Sequence, residues 1–167
     1  MIGVYGPLFQ FSDIITKLEN HDVDIVGMTD SFRHCPHLQP CFLYCKGPVV
    51  LSKEFVDFFG HGRVIQLKRA VIRKYELGFT QMLSKRFRLK ALYPLEGMLD
   101  QGIHLDQPKM EIDPTVKLWK VLTIKFKFPF LKRSRLARRG GIQEVSAVRS
   151  ENGSIFDAKV LESACDS

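Results

Sequence analysis

An α/β domain is the fold class this sequence predicts, and three observations predict it. Asp24-Ile25-Val26-Gly27-Met28 is a short apolar run between turn signals, the pattern of a strand buried on both faces. Ile72, Tyr75, Phe79, Met82 and Leu83 recur at helical spacing and form one stripe of a helix from about Lys68 to Lys85. Arg88 to Tyr93 then makes a further strand, closed by Pro94, so strands and amphipathic helices alternate. With 167 residues, 45% hydrophobic and 26% charged, the chain suits one domain with a sizeable core.

The elements follow in order. A loop, Gly3 to Pro7, leads into a helix from about Gln10 to Asn20 with Ile14, Ile15 and Leu18 on one face. After the first strand, Thr29 to Pro40 reads as a polar, ring-rich loop, and Cys41 to Leu51 as a strand region interrupted at Gly47-Pro48. Ser52 starts a helix with Phe55, Val56, Phe58 and Phe59 inward, ended by Gly60. Glu96 to Pro114 lacks periodicity and has the length of a lid or acceptor loop. Pro129 breaks the last helix, and from residue 140 to 167 the chain is polar and poor in aromatics, as in a flexible tail. The domain therefore covers residues 1–139.

The net charge of +7 is concentrated. Lys117 to Arg139 holds nine basic residues and no acidic one, leaving the rest of the chain slightly acidic. Within it Lys132, Arg133, Arg135, Arg138 and Arg139 follow Trp119, Phe126, Phe128 and Phe130, a mixture suited to an anionic membrane surface. A docked helix with its lysines in water explains the same pattern. Nucleic acid is disfavoured, because no nucleic-acid-binding motif accompanies the run. The first residues lack a charged leader with an apolar core and no stretch has the length of a membrane span, so the expected location is cytoplasmic, peripheral at the inner membrane.

Four cysteines, Cys35, Cys41, Cys45 and Cys165, are expected as free thiols. Cys41 and Cys45 with His34, Cys35 and His37 offer ligand chemistry, but residues four apart on a strand lie about 13 Å apart, too far to share one ion. No metal site is assigned.

Polar groups at the ends of apolar elements are where α/β folds place their sites. Here these are Thr29-Asp30-Ser31, His37-Leu38-Gln39 and Tyr75-Glu76-Leu77-Gly78-Phe79-Thr80. Taken in order with Val4-Tyr5-Gly6-Pro7-Leu8, Phe42-Leu43, Trp119 and Phe128-Pro129-Phe130-Leu131-Lys132, they resemble the rhamnan synthesis protein F family over Val4 to about Arg138. The resemblance implies a glycosyltransferase of bacterial cell-surface polysaccharide assembly. It implies a GT-A-like fold, a mixed sheet flanked by helices, of which this chain matches the acceptor-side, C-terminal portion. It also implies a nucleotide-sugar donor as co-substrate and a glycan or lipid-linked acceptor, with a divalent metal left open. In the family an Asn-Asp-Ser that resembles the diphosphate and metal site precedes Val-Tyr-Gly-Pro; here those positions read Met1-Ile2-Gly3. The expectation is a partial domain lacking the nucleotide-binding half, completed by a partner chain or prone to self-association.

Sugar transfer with inversion needs a carboxylate to take the acceptor hydroxyl's proton, and Glu76, at the head of a helix near a cleft, fits that role. A first-turn acid favoured by the helix dipole would look the same. Asp30, Ser31, His37 and Gln39 are candidates to hold sugar hydroxyls, with a turn cap and a satisfied loop histidine as the plain alternatives. By the resemblance Tyr5 and Gly6 join the substrate-binding set. Asp22-Val23-Asp24 spells the Asp-x-Asp of metal-dependent transferases but sits in a turn between helix and strand, and it reads as surface. The rival to an enzyme is a catalytically inactive module that binds a glycan or a partner.

Overall fold

The computed structural model describes residues 4–6, 8, 11–60, 65, 67–100, 107–137 and 139–151. Along them run β1 (Val4–Tyr5), α1 (Phe11–Glu19), β2 (Ile25–Ser31), β3 (His37–Leu38), β4 (Leu43–Cys45), α2 (Gly47–Val50) and α3 (Lys53–Gly60). Then come α4 (Lys68–Val71), a π-helical turn (Ile72–Leu77), α5 (Gly78–Leu83), β5 (Leu89–Tyr93) and α6 (Leu95–Leu99). The chain continues through a 3₁₀ turn (Lys109–Glu111), α7 (Pro114–Lys117), α8 (Trp119–Phe126), β6 (Leu131–Lys132), α9 (Arg133–Leu136) and α10 (Gly141–Glu151). These form two compact units, Lys17–Ile112 and a second drawn from Met1–Thr16 with Asp113–Ser167.

The Lys17–Ile112 unit is built on β2, whose Ile25, Val26 and Met28 are wholly buried. A strand covered on both faces needs ladder partners for its backbone, and β2 has three. It pairs antiparallel with β4, Ile25 opposite Cys45, and parallel with β5 from Ile25–Leu89 to Thr29–Tyr93. Its last residues pair antiparallel with β3, Asp30 opposite Leu38 and Ser31 opposite His37. The result is an open mixed sheet flanked by helices, as the α/β reading expects.

Asp24 and Arg88 fix where the parallel pair starts. The Asp24 carboxylate accepts the Arg88 N–H at 2.7 Å, and the Arg88 carbonyl accepts the N–H of Ile25 at 3.1 Å. At the far end Pro94 has no N–H to extend β5, and β3 takes over as the partner of β2. The core of this unit joins Ile25, Leu38, Val49, Phe79, Leu83 and Ala91. Burial of side chains the size of Phe79 and Leu83 is worth about 1.5–3 kcal/mol each, and this fixes which face of α5 turns inward.

Several expectations change. Thr29-Asp30-Ser31 lies inside β2, and part of the expected 29–40 loop is β3. Gly47-Pro48 opens α2 instead of interrupting a strand, because proline fits the first turn of a helix. Ser52 does cap α3, its hydroxyl accepting the Phe55 N–H at 3.2 Å. Phe55 and Phe58 pack against the core, and Phe59, though partly in solvent, sets its ring 6.0 Å from that of Phe79; Val56, which these rings do not cover, is exposed. The 68–85 helix exists with a π turn in its middle, where the Gly78 N–H bonds to the Arg73 carbonyl five residues back. The expected 96–114 loop contains α6 and the 3₁₀ turn; residues 101–106 lie outside the described residues.

In the second unit β1 pairs antiparallel with β6, Val4 opposite Lys132 and Tyr5 opposite Leu131. The Leu8 N–H continues the clasp to the Pro129 carbonyl at 2.8 Å. Helix α8 ends before Pro129 is reached: Lys127 turns left-handed at φ 55°, and the Phe128 N–H bonds to the Leu122 carbonyl. The basic stretch is thus a helix, a strand and a further turn of helix. Beyond it α10, with Val145 fully buried, occupies part of what was expected to be a tail from residue 140; residues 152–167 lie outside the described residues.

Gly6 sits at φ 148° with the Pro129 carbonyl oxygen 2.3 Å from where a Cβ would be. Gly6→Ala should therefore cost about 2–4 kcal/mol in urea denaturation, combining backbone strain with a clash against main chain. Gly140→Ala, at φ 78° with open space around it, should cost only about 1 kcal/mol. Equal losses in the two variants would show that the clasp yields freely.

Candidate functional site

Four sequence-selected residues meet where β2 and β3 pair, and most are already engaged by the fold. The Asp30 carboxylate accepts the N–H of Leu95, the first residue of α6, at 2.7 Å. It acts as an N-cap supplied from another strand, since Pro94, at the cap position, has no side-chain acceptor. Burial pushes the Asp30 pKa above the ordinary carboxylate range. The Leu95 N–H pulls in the opposite direction, and Glu96 adds to the rise.

Ser31 is buried, and its hydroxyl donates to the Ile112 carbonyl at 3.3 Å while accepting the Arg33 N–H. Gln39 is bound twice to Thr29: its carbonyl oxygen accepts from the Thr29 hydroxyl at 2.7 Å, and its N–H donates to the Thr29 carbonyl at 2.8 Å. His37 is buried with Nδ1 2.8 Å from the Cys35 carbonyl. A carbonyl can only accept, so Nδ1 carries the proton, and in the neutral ring Nε2 is an acceptor.

Glu76 lies in the π turn, half-buried, and this turn packs against β3. One turn further on, the Thr80 hydroxyl accepts the Leu38 N–H at 3.0 Å, tying the helix to the strand between His37 and Gln39. Among the described residues Glu76 has no hydrogen-bond or ion-pair partner. Asp30 differs, with its Oδ1 taken by the Leu95 N–H. π turns recur at functional sites because the widened turn displaces a side chain from the regular helical track.

Two neighbours escaped the sequence reading. Lys109 stands over the Phe32 ring at 3.8 Å and pairs with Glu96, bringing the stretch after residue 106 onto the end of β2. Nothing in the local sequence announces that contact. Thr80 was inside a motif already picked out, and only its role was missed.

Tyr5 and Gly6 belong to the other unit, in the β1–β6 clasp, and Gly6 has a backbone role there. The basic set divides as well. Lys132 pairs with Asp113 at 2.5 Å in a largely buried contact, and Arg135 pairs with Glu144 and stacks over Trp119 at 5.2 Å. Those two therefore serve the fold of their unit instead of forming a free basic surface. Arg133 and Arg139 are exposed, and Arg138 lies outside the described residues.

Among the described residues no group of three His, Cys, Asp or Glu side chains could hold a metal ion. Asp22 and Asp24, which carry the Asp-x-Asp spacing, are both held by Arg88, whose guanidinium lowers the Asp22 pKa. They do not fit a metal. No helix among the described residues is long and apolar enough to cross a membrane.

A family model described as rhamnan synthesis protein F matches residues 2–156. Neither a comparison with curated proteins nor one with solved structures found a match.

Asp30 also generates a pH prediction. A carboxyl whose pKa is higher folded than unfolded binds its proton more tightly in the native state, so its stabilisation is complete below the unfolded pKa. That contribution is lost as pH climbs from about 4 through the raised value. Asp30→Asn keeps an acceptor for the Leu95 N–H and removes the titration. Its melting temperature should fall less than that of the parent as pH rises across this window; parallel curves would show that Asp30 does not titrate there.

Proposed function

The chain belongs to the rhamnan synthesis protein F family, which places it in rhamnan polysaccharide synthesis, and on that footing we propose that it is a glycosyltransferase. In this reading it moves a sugar from a nucleotide-sugar donor to a growing cell-surface polysaccharide or lipid-linked glycan. Its mixed sheet serves as the acceptor side of a GT-A-like fold. The observation that carries the reading is Glu76: a half-buried carboxylate, unpaired among the described residues, on a turn packed against the strand that bears His37.

The chemistry follows from those two groups. The acceptor oxygen bonds to the anomeric carbon as the bond from that carbon to the diphosphate oxygen breaks. Glu76 takes the hydroxyl proton, and the nucleoside diphosphate leaves. His37, fixed by Cys35 with Nε2 as acceptor, suits the role of receiving a hydrogen bond from a sugar hydroxyl and orienting it. Asp30, Ser31 and Gln39 hold the backbone under these two and do not themselves reach for sugar in this scheme. No step runs through a metal.

One observation favours the second reading, a glycan- or partner-binding module without chemistry: three of the polar side chains at the strand end are occupied internally. Titration calorimetry with nucleoside diphosphate sugars and manganese separates the two, since transfer requires a donor. No heat at millimolar donor leaves the binding module. For the transferase, Glu76→Gln should lower turnover by about 10²- to 10⁴-fold with acceptor affinity unchanged. Full activity in that variant would remove Glu76 from the mechanism.

A further inference from the structure

Helix α5 is anchored, with Phe79 and Leu83 buried in the core of the Lys17–Ile112 unit. Strand β3 has less to hold it. Leu38 reaches the same core, but the strand is two residues long and meets β2 at the pairs Asp30–Leu38 and Ser31–His37. Two consecutive residues of α5 supply further attachment. The Thr80 hydroxyl accepts the Leu38 N–H at 3.0 Å, and the Gln81 side-chain amide donates to the Cys35 thiol at 3.4 Å. His37 lies between these two points, and the Cys35 carbonyl fixes its ring, 2.8 Å from Nδ1. Both grips thus close on one residue, one through the amide that follows it and the other through the residue that sets its tautomer.

Satisfying a buried donor accounts for part of this arrangement. The Gln39 N–H turns to the Thr29 carbonyl of β2, so the Leu38 N–H faces the other way and would be buried without a partner but for Thr80. That explains a hydroxyl at position 80. It does not explain the second grip, made by the exposed Gln81, nor that the two stand four and five residues after Glu76 on a continuous helix.

We propose that Thr80, with Gln81 beside it, is a positioning residue that fixes the bearing of the His37 ring relative to the Glu76 carboxylate. The role rests on the reading of Glu76 as the base and His37 as the orienting group. The path between them is short: Thr80 follows Glu76 by one helical turn, its hydroxyl holds Leu38, and Leu38 is bonded to His37. Neither Thr80 nor Gln81 meets sugar in this scheme. A misplacement of about 1 Å can cost about 10²-fold in rate, so a contact that keeps the two groups in register governs turnover more than affinity.

Thr80→Val removes the acceptor at nearly constant volume, and Thr80→Ser keeps it. Ser84→Ala is the control, removing a hydroxyl at the end of the same helix that bonds to the Gln81 carbonyl. One readout needs no turnover. In proton–carbon spectra of the intact protein, Glu76→Gln should move the His37 ring resonance, and that movement should shrink to about half or less when combined with Thr80→Val, but not with Thr80→Ser or Ser84→Ala. The other readout is kinetic: Thr80→Val should lower kcat about 10- to 100-fold with the acceptor KM within about twofold, Thr80→Ser should recover most of it, and Ser84→Ala should match the parent. Gln81→Met, changed on the exposed side, should give the same pattern at smaller size, and it carries the test if Thr80→Val does not fold. Spectral coupling in a protein that transfers no sugar would end the transferase reading and leave the positioning role standing. The proposal itself fails if Glu76→Gln leaves the His37 resonance unmoved, if Thr80→Val and Gln81→Met preserve the movement, or if they raise KM and leave kcat unchanged.

Discussion

Burying the polar end of a strand costs free energy unless each donor and acceptor finds a partner, and the end of β2 meets that condition residue by residue. Thr29 is matched by Gln39, Asp30 by the first N–H of α6, and Ser31 by Ile112 and Arg33. These contacts reach across the unit to β3, to α6 and to the stretch that follows the 3₁₀ turn. They position the elements around the candidate site, and they also explain why so few of its polar side chains are left to meet a ligand.

The parts of this fold that could be read from the chain were those governed by local periodicity. β2, β5 and α1 follow from burial alone: Ile25, Val26 and Met28, then Ala91 and Tyr93, then Ile14 and Leu18, all lie inside. The short elements escaped because their cause is not local. β3 is two residues that become a strand only because β5 stops at Pro94 and leaves the end of β2 without a partner. α10 looked like a tail because its sequence is polar, yet one fully buried valine, Val145, and an arginine partner for Glu144 attach it to its unit. Of the candidate residues, Asp30 and Ser31 close β2 and Gln39 follows β3, but whether a side chain faces a ligand or a neighbouring N–H depends on tertiary contacts that spacing cannot display.

Charge shows the same limit. Nine basic residues without an acid between Lys117 and Arg139 look like one surface, but the acids that matter lie outside the run. Asp113 takes Lys132 and Glu144 takes Arg135, and a pair as enclosed as Lys132–Asp113 is held against its desolvation only by close geometry. In the other unit Arg69 and Arg73 are exposed and pair with no described acid.

The π turn links these observations. Within six residues it carries Arg73, Lys74 and Glu76, and it precedes Phe79 and Leu83, the side chains that anchor its helix in the core. A regular α-helix advances 100° per residue, so the extra residue of a π turn rotates everything before it by that amount relative to everything after. Phe79 and Leu83 are held by the sheet, so the rotation falls on the preceding residues. It lets the helix bury Phe79 and Leu83 in its second half while its first half carries the exposed Arg73 and the half-buried Glu76. Straightening the turn would keep the core and reassign those faces, which ties the position of Glu76 to that of Arg73 through backbone geometry alone.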